Sequence, residues 1–179
     1  MMIITISGEP GAGSTTISKM LAKELGLKLV TVGELHKKIA KEKGLTVEEH
    51  WKRIRQDKQK LKEFHQKLDE LQKKEAEKGN VIINGKLSAF QIKNADLKIL
   101  LTAELKERAK RVAKREKINV EEALKRIKER EEIERKEFKE LYGIDYVKDK
   151  ELYDMIIDTT KLTPEEITKV IKEVVNNAA

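Results

Sequence analysis

The chain has 179 residues, a length that suits one compact domain with a sizeable hydrophobic core. Charged residues make up 40% of it and hydrophobic residues 39%, which excludes a disordered chain and predicts long helices with charged outer faces. The absence of Cys excludes disulfides, thiolate metal sites and cysteine nucleophiles. Because no apolar run approaches the roughly 18 residues of a membrane span and no signal sequence precedes the first strand, we expect a cytoplasmic protein.

The formal net charge of +7 favours an anionic partner, without distinguishing a nucleotide from a polynucleotide. Abundant Lys and Glu, together with only two Pro and no Cys, are typical of proteins rich in surface ion pairs. The composition therefore suggests a thermophilic source.

The first half of the chain alternates strand and helix patterns. Residues 2–7 form an Ile-rich apolar run that predicts a buried strand, and a helix pattern follows over residues 15–25. A second strand is predicted over residues 27–32, followed by a helix up to Gly44. Residues 46–78 have no strand pattern and predict a long amphipathic helix, whose apolar stripe consists of Leu61, Phe64, Leu68 and Leu71.

The second half repeats this alternation. Strands are predicted over residues 80–84, 97–101 and 153–157, with a charged helical stretch over 105–142 that is broken near Ile118 and Asn119. The last helix has Thr163 as its N-cap and Pro164 at its first position. Its spacing predicts a buried face formed by Ile167, Val170, Ile171 and Val174.

This order predicts an α/β fold in three layers, with a five-stranded parallel sheet between helices. Two helical stretches, residues 46–78 and 105–142, are too long for simple crossovers and suggest additional segments.

The loop after the first strand is the most informative part of the sequence. It reads Gly8, Glu9, Pro10, Gly11, Ala12, Gly13, Ser14, Thr15, Thr16, which matches the phosphate-binding pattern GxxxxGK(S/T) except for Ser14 at the lysine position. Glycines at this spacing allow backbone amides to point inward at the positive end of a helix and hold a triphosphate. The loop therefore predicts an ATP site, with Thr15 where a hydroxyl normally contacts Mg²⁺.

From this loop onward the sequence resembles the nucleoside monophosphate kinases of the P-loop fold, and specifically the archaeal-type cytidylate kinases. The likeness runs through the stretches MIITISGEPGAGSTT, VGELHK, LDELQ, NVIINGKL, RAKRVAKRE, EREEIERKEFKELYGID and YDMIIDTT. Members of that group often have a small hydroxyl residue at the lysine position, in agreement with Ser14.

The resemblance implies a single kinase domain made of three parts. The core comprises residues 1–33, 79–105 and 150–179. A segment over about 34–78 would bind the acceptor, and a lid over about 106–149 would close on both substrates. The implied reaction moves the γ-phosphoryl group of ATP to a nucleoside monophosphate, with CMP or dCMP as the leading acceptor and Mg²⁺ as cofactor. A monomer that contacts no membrane or nucleic acid is expected.

The resemblance also assigns site residues. It places Gly33, Lys37, Asp69, Gln72 and Lys86 around the acceptor. The implied catalytic residues are Ser14 of the loop and four cations, Lys37, Lys86, Arg115 and Arg130. Arg111 is a further lid candidate.

Five positions depart from the family pattern. Lys37 and Lys86 stand where arginine is usual, Leu71 and Glu137 also replace arginine, and His65 replaces aspartate. Because lysine supplies charge without the planar fork of arginine, these departures leave an acceptor other than cytidylate open.

Alternatives therefore remain open. One is a P-loop kinase with another acceptor, such as AMP, UMP or a small metabolite. The other is a nucleotide- or nucleic-acid-binding homologue without catalysis, suggested by the basic run Lys106, Arg108, Lys110, Arg111, Lys114 and Arg115.

The histidines and the single Trp have no pattern that indicates chemistry. His36, His50 and His65 lack the spacing of metal ligands, which favours surface or packing roles. Trp51 is expected in the core or at a hinge rather than under a base.

Overall fold

A five-stranded parallel sheet forms the centre of the computed structural model, which describes residues 1–178. The order across the sheet is second, third, first, fourth, fifth, and every adjacent pair is parallel. The predicted α/β fold is therefore confirmed, while residue 179, the last of the predicted core, lies outside the described residues. The strands are β1 (Ile3–Gly8), β2 (Lys28–Thr31), β3 (Val81–Asn84), β4 (Leu97–Thr102) and β5 (Met155–Asp158).

Helices cover both faces of the sheet. A short 3₁₀ helix (Lys150–Leu152) precedes β5. The predicted break near Ile118 and Asn119 is confirmed, because Asn119 accepts a hydrogen bond from the Glu122 amide and starts a new helix. The α-helices are α1 (Ser14–Leu25), α2 (Val32–Glu42), α3 (Val47–Ile54), α4 (Lys58–Glu77), α5 (Ser88–Gln91), α6 (Leu105–Glu116), α7 (Val120–Tyr142) and α8 (Pro164–Ala178).

Neighbouring residues of each central strand pack into different layers, because strand side chains alternate between the two faces. Ile82 and Leu101 join the cluster that contains α1 and α8, whereas Ile83 and Leu100 join clusters on the opposite side. All four are fully buried. The sheet is thus covered on both faces, as its continuous apolar strands predict.

The long helix predicted over residues 46–78 is in fact two helices, α3 and α4. Asp57 has an extended backbone, and its carboxylate accepts hydrogen bonds from the amides of Gln59 and Lys60, so it caps the second helix. The stripe itself is confirmed: Phe64 and Leu68 are buried, and Leu61 and Leu71 pack beside them.

The predicted buried face of α8 is partly wrong. Ile167 and Ile171 are buried, but Val170 and Val174 are 41% and 36% exposed. At about 100° per residue, the buried arc runs from Ile167 through Ile171 to Thr168, and the two exposed valines lie on one flank of it. Thr168 can be buried because its hydroxyl donates to the Pro164 carbonyl oxygen, a polar solution that an apolar pattern does not show.

The burial of α8 predicts unequal effects for two neighbouring substitutions. Ile171→Ala should lower the free energy of unfolding by about 2–4 kcal/mol, because it leaves a cavity in the core. Val170→Ala should change it by less than about 0.5 kcal/mol, since that side chain is on the surface. Urea denaturation of both variants measures the difference, and equal losses would contradict this packing of α8.

Candidate active site

The loop over residues 8–16 joins the central strand β1 to α1 as a cradle of amides. Gly13 has a left-handed backbone with φ of 96°, which favours glycine, and it directly precedes the helix. The first amides of a helix have no intrahelical acceptor, and within the described residues no side chain caps α1. The amides of Ser14, Thr15 and Thr16 therefore remain available at the positive end of the helix. The sequence prediction of an anion nest fits this geometry.

Three carbonyl oxygens of the same loop accept hydrogen bonds from side chains elsewhere in the protein. Arg108 donates to the Pro10 oxygen at 3.2 Å, and Arg111 donates to the Gly11 oxygen at 3.4 Å. The Thr159 hydroxyl donates to the Ala12 oxygen at 2.9 Å. The Ala12 amide in turn donates to the Glu9 carbonyl oxygen at 2.9 Å, so hydrogen bonds from both sides of the backbone fix the shape of the loop.

Arg108 is buried, at 5% exposure, and is compensated by two carboxylates. Its guanidinium lies 3.1 Å from Glu9 and 2.5 Å from Glu131, so it ties the loop to α7. Burial raises the pKa of Glu9, although the charge of Arg108 opposes that rise.

A cavity of about 430 Å³ opens at the carboxyl ends of β1, β2 and β3. One end is the phosphate loop, and the other is formed by side chains of α3, α4 and α7. Ligands of open α/β sheets bind in this position, because loops after neighbouring strands meet there. The cavity thus connects the amide nest to the segments predicted to bind the acceptor and to close over it.

Lys86 and Arg130 line the cavity between its two ends and share one carboxylate. Lys86 forms an ion pair with Glu134, and Arg130 donates to the other oxygen of Glu134 at 2.8 Å. Burial lowers the pKa of Lys86 to about 8, against the opposing effect of Glu134. Burial acts to raise the pKa of Glu134, but the charges of Lys86 and Arg130 hold it below its ordinary value.

Two other predicted cations lie farther out. Arg115 lines the cavity mouth with a side chain that is 63% exposed and pairs with Glu116. Lys37 is exposed on α2 and is not among the residues that line the cavity within the described chain. Gly33, at the start of the same helix, does line it. The structure therefore brings Lys86, Arg115, Arg130 and Gly33 to one cavity and leaves Lys37 outside.

Asp69 and Gln72 lie at the far end of the cavity, on one face of α4. Asp69 accepts a hydrogen bond from the Tyr142 hydroxyl at 2.5 Å, and Gln72 accepts one from the Ser88 hydroxyl at 2.9 Å. Burial raises the pKa of Asp69, and the Tyr142 hydroxyl opposes that rise. These side chains are thus rigidly held where an acceptor nucleoside was predicted.

Glu137, one of the departures from the family pattern, pairs with residues of the acceptor segment. Its carboxylate accepts a hydrogen bond from Arg55 at 2.5 Å and lies 3.7 Å from His65. Arg55 in turn lies over the Trp51 ring, 4.2 Å from its centre. Burial acts to raise the pKa of Glu137, but His65 and Arg55 lower it. The contact joins α7 to α3 and α4 across the cavity.

All three histidines are buried packing residues, as predicted, but they are gathered in space although scattered in sequence. His36 and His50 share a hydrogen bond of 3.0 Å, and Phe64 packs against both rings. His65 lies beside Phe64 and Trp51, and its Nε2 has no hydrogen-bond partner within residues 1–178. Over the same residues, no group of His, Cys, Asp or Glu is arranged to hold a metal ion.

Several of these functional candidates were missed by sequence reasoning. Glu134 follows Arg130 by four residues, so helical spacing could have indicated that pair. Arg55, Ser88 and Tyr142 gave no local signal, because their partners are 82, 16 and 73 residues away along the chain. Trp51 packs against His36 and Phe64, as expected of a core residue, but it also lines the cavity next to Arg55, which the sequence did not indicate.

Comparison with known proteins identifies the family. The model of the cytidylate kinase-like family matches residues 3–161. The chain belongs to this family. A cytidylate kinase of Pyrococcus horikoshii is 44% identical over 180 residues, which cover 98% of this chain and 89% of that protein. A cytidylate kinase of Methanocaldococcus jannaschii is 40% identical over 180 residues and covers 98% of both chains. The predicted resemblance is confirmed.

Solved structures support the fold of this family member. An uncharacterized protein from Eubacterium ventriosum aligns with a TM-score of 0.75 at 19% identity, covering 98% of this chain and 99% of that one. A shikimate kinase from Bacteroides thetaiotaomicron aligns with a TM-score of 0.65 at 15% identity, covering 98% of both. Among residues 1–178, no helix combines the length and apolar character of a membrane span.

The buried histidine pair predicts a loss of stability in mild acid. Burial, followed by the neighbouring His50, lowers the pKa of His36 to about 4, and burial likewise lowers that of His50. The unfolded chain therefore binds more protons than the folded one below about pH 6.5, so the free energy of unfolding falls as pH falls toward 4. The loss should be on the order of 2 kcal/mol.

Urea denaturation between pH 7.5 and 5 measures this effect above the range in which most carboxylates are protonated. The double variant His36→Gln/His50→Gln serves as the control, because it keeps polar groups but cannot titrate. Its stability should vary less with pH over this interval. An identical pH dependence in both proteins would rule out the histidine pair as its source.

Proposed function

We propose that this chain transfers the γ-phosphoryl group of ATP to cytidylate, as CMP or dCMP, giving the diphosphate and ADP. The observation that carries the proposal is one continuous cavity in a member of this family. It runs from the amide nest at residues 8–16, past Lys86 and Arg130, to Asp69 and Gln72. The relatives named as cytidylate kinases match nearly the whole chain, so the substrate class follows the full-length likeness.

The proposed division of labour follows the cavity. Gly8, Glu9, Pro10, Gly11, Ala12, Gly13, Ser14, Thr15 and Thr16 would hold the ATP phosphates, largely through backbone amides. Core residues 1–33, 79–105 and 150–179 support that end. Residues of about 34–78 would bind the acceptor, with Gly33, Asp69 and Gln72 near it, and about 106–149 would form the lid.

The Thr15 hydroxyl fits Mg²⁺, because this ion commonly keeps waters and phosphate oxygens as ligands and needs few protein groups. When bound, Mg²⁺ would neutralise charge on the ATP phosphates. The site contains hard oxygen donors rather than a cage of carboxylates, which agrees with this use.

Phosphoryl transfer requires alignment, charge neutralisation and exclusion of water, and it needs no activated nucleophile from the protein. The acceptor phosphate already has an anionic oxygen. Lys86 and Arg130 line the cavity and would contact phosphate between its two ends, and Arg115, which also lines it, would approach on closure. Ser14 supplies a hydroxyl and an amide where other P-loops have a lysine, so Arg115 and Arg130 would provide the missing charge to ATP while Lys86 contacts the acceptor phosphate.

The binding-protein alternative is not favoured, because the relatives that match nearly the whole chain are named as cytidylate kinases and because two of the six residues of the basic run are engaged at the phosphate loop. Arg108 is buried among carboxylates, and Arg111 donates to the phosphate loop and to Thr159. These two arginines therefore serve the nucleotide site rather than an exposed polynucleotide track. We also propose a monomeric, cytoplasmic protein, and its composition supports a thermophilic source.

An acceptor screen tests the proposed function. Purified protein with Mg²⁺ and ATP is offered each ribo- and deoxyribonucleoside monophosphate in turn, while ADP release is followed. CMP and dCMP should give the highest kcat/KM. Preference for AMP, UMP or a metabolite would establish a different acceptor, and absence of ADP formation with every acceptor would reject the kinase proposal.

Loss of Lys86 should weaken acceptor use more than ATP use. We expect Lys86→Met, which keeps the buried stem but removes the charge, to raise the acceptor KM or lower kcat by about tenfold or more, because a charge-assisted contact to phosphate is lost. The ATP dissociation constant should stay within about twofold. Steady-state kinetics and fluorescence binding measure the two quantities.

Exposed lysines on α2 provide the controls. Lys38→Met should leave both quantities unchanged, and Lys37→Met should have a smaller effect than Lys86→Met because Lys37 lies outside the cavity lining. Normal acceptor kinetics in a folded Lys86→Met protein would remove Lys86 from the site.

A further inference from the structure

Four side chains form a continuous hydrogen-bond chain behind the far end of the cavity. The Tyr142 hydroxyl donates to Asp69 Oδ2 at 2.5 Å, and Gln72 Nε2 donates to Asp69 Oδ1 at 3.4 Å. The Ser88 hydroxyl donates to Gln72 Oε1 at 2.9 Å. This hydrogen-bond network joins the end of α7, one face of α4 and the start of α5, so three separate elements hold it in position.

The direction of these hydrogen bonds is set by the chemistry of the groups. An ionised carboxylate can only accept, so Asp69 requires a donor from each neighbour. Gln72 must therefore turn its amide nitrogen toward Asp69 and its oxygen away. The Ser88 hydroxyl then donates to that oxygen and holds the amide in this orientation. Reversal of the amide would place two acceptors together at Asp69 and leave the Ser88 proton without its partner.

The two middle residues of this hydrogen-bond network face the cavity, while the two residues at its ends do not. Asp69 and Gln72 line the cavity, whereas Ser88 and Tyr142 contact them from behind. Gln72 and Ser88 are 2% and 1% exposed, which makes an unpaired polar atom in either one costly. The wall thus presents an N–H donor from Gln72 beside carboxylate acceptors from Asp69.

We propose that Ser88 and Tyr142 are positioning residues that make this wall select cytosine over uracil. The inference rests on the proposed function, since it assigns the cavity end to the base of the acceptor. Neither residue needs to touch the nucleotide. Ser88 acts by fixing the amide of Gln72, and Tyr142 acts by fixing the carboxylate of Asp69.

The edge of cytosine is complementary to this wall. Its 4-amino group is a donor and its N3 is an acceptor, so they can pair with the Asp69 carboxylate and the Gln72 N–H. Uracil in the same register would place the O4 acceptor against Asp69 and the N3–H donor against Gln72. Both contacts would then be mismatched, which is how polar sites reject an analogue strongly. Adenine has the same donor and acceptor pair as cytosine, so this network distinguishes the two pyrimidines only.

Gly85 leaves the space that the network requires. A Cβ atom built on Gly85 would lie 2.6 Å from the Ser88 hydroxyl oxygen and would overlap a methyl group of Val32. The Ser88 amide donates to the Gly85 carbonyl oxygen at 3.1 Å, so the tight turn after β3 places the hydroxyl opposite Gln72. The turn that positions Ser88 is therefore the same one that positions Lys86.

Two hydroxyl deletions test the proposal in the whole protein. Ser88→Ala and Tyr142→Phe are titrated with CMP and with UMP by isothermal calorimetry without ATP, and kcat and KM are measured for both acceptors. We expect the CMP-to-UMP affinity ratio to fall by about tenfold in each variant, because one orienting hydrogen bond is lost. The change should appear in the acceptor KM, with kcat for CMP and the KM for ATP within about twofold of wild type.

Tyr153→Phe is the matched control, because it removes a partly buried hydroxyl that donates to the Tyr146 carbonyl oxygen at 2.6 Å, outside this network. It should leave the ratio unchanged even if it lowers the melting temperature. If wild type prefers CMP and both folded variants keep its ratio within about twofold, the positioning roles are wrong and the proposed function stands. If wild type phosphorylates CMP without preferring it over UMP, this inference alone fails, and if it does not phosphorylate CMP, the proposed function fails as well. Should Ser88→Ala not fold, Tyr142→Phe alone decides between these outcomes.

Discussion

The structure depends first on the orientation of the peptide groups between β1 and α1. A loop that exposes its amides to an anion must turn its carbonyl oxygens elsewhere, and buried carbonyls need donors. Arg108, Arg111 and Thr159 supply those donors from α6 and from the end of β5. The rest of the site is arranged around this constraint, because α6 must stay against the loop for the nest to keep its shape.

Charge compensation is the second common feature of the site. Arg108 is balanced by Glu9 and Glu131, while Glu134 serves both Lys86 and Arg130. Removing one partner of such a buried pair is more damaging than the pair is stabilising, since it leaves a charge without compensation. The cavity can therefore hold several cations close together in a small protein, each in a defined position.

Much of the fold could be predicted because its signals are local. Apolar runs revealed the five strands, and the glycine spacing with its strand and helix neighbours revealed the phosphate loop. The break at Asp57 is also local, yet it was missed because the apolar stripe continues in α4 and dominated the pattern. The face of α8 was partly wrong because Thr168 is buried through a hydrogen bond that hydrophobic spacing does not reveal.

The site was less predictable, since its contacts join distant parts of the chain. Lys37 and Lys86 were assigned on the same grounds, but only Lys86 lines the cavity. Lys37 is exposed because of its position around the axis of α2, which the resemblance does not reveal. The gathering of the three histidines and the pairing of Arg55 with Glu137 likewise depend on how α3, α4 and α7 pack. The acceptor assignments thus remain predictions, and the structure adds which of the assigned residues line the cavity.

The place of β1 in the sheet has a consequence for fluctuations of the protein. β1 is paired along both edges, whereas β2 and β5 each have one free edge and are only four residues long. Fraying and other partial openings start where few bonds must break, so they begin at these outer strands. Opening of β2 therefore leaves the anchor of the phosphate loop in place, whereas opening of β5 would also release the Thr159 hydroxyl from the Ala12 carbonyl oxygen.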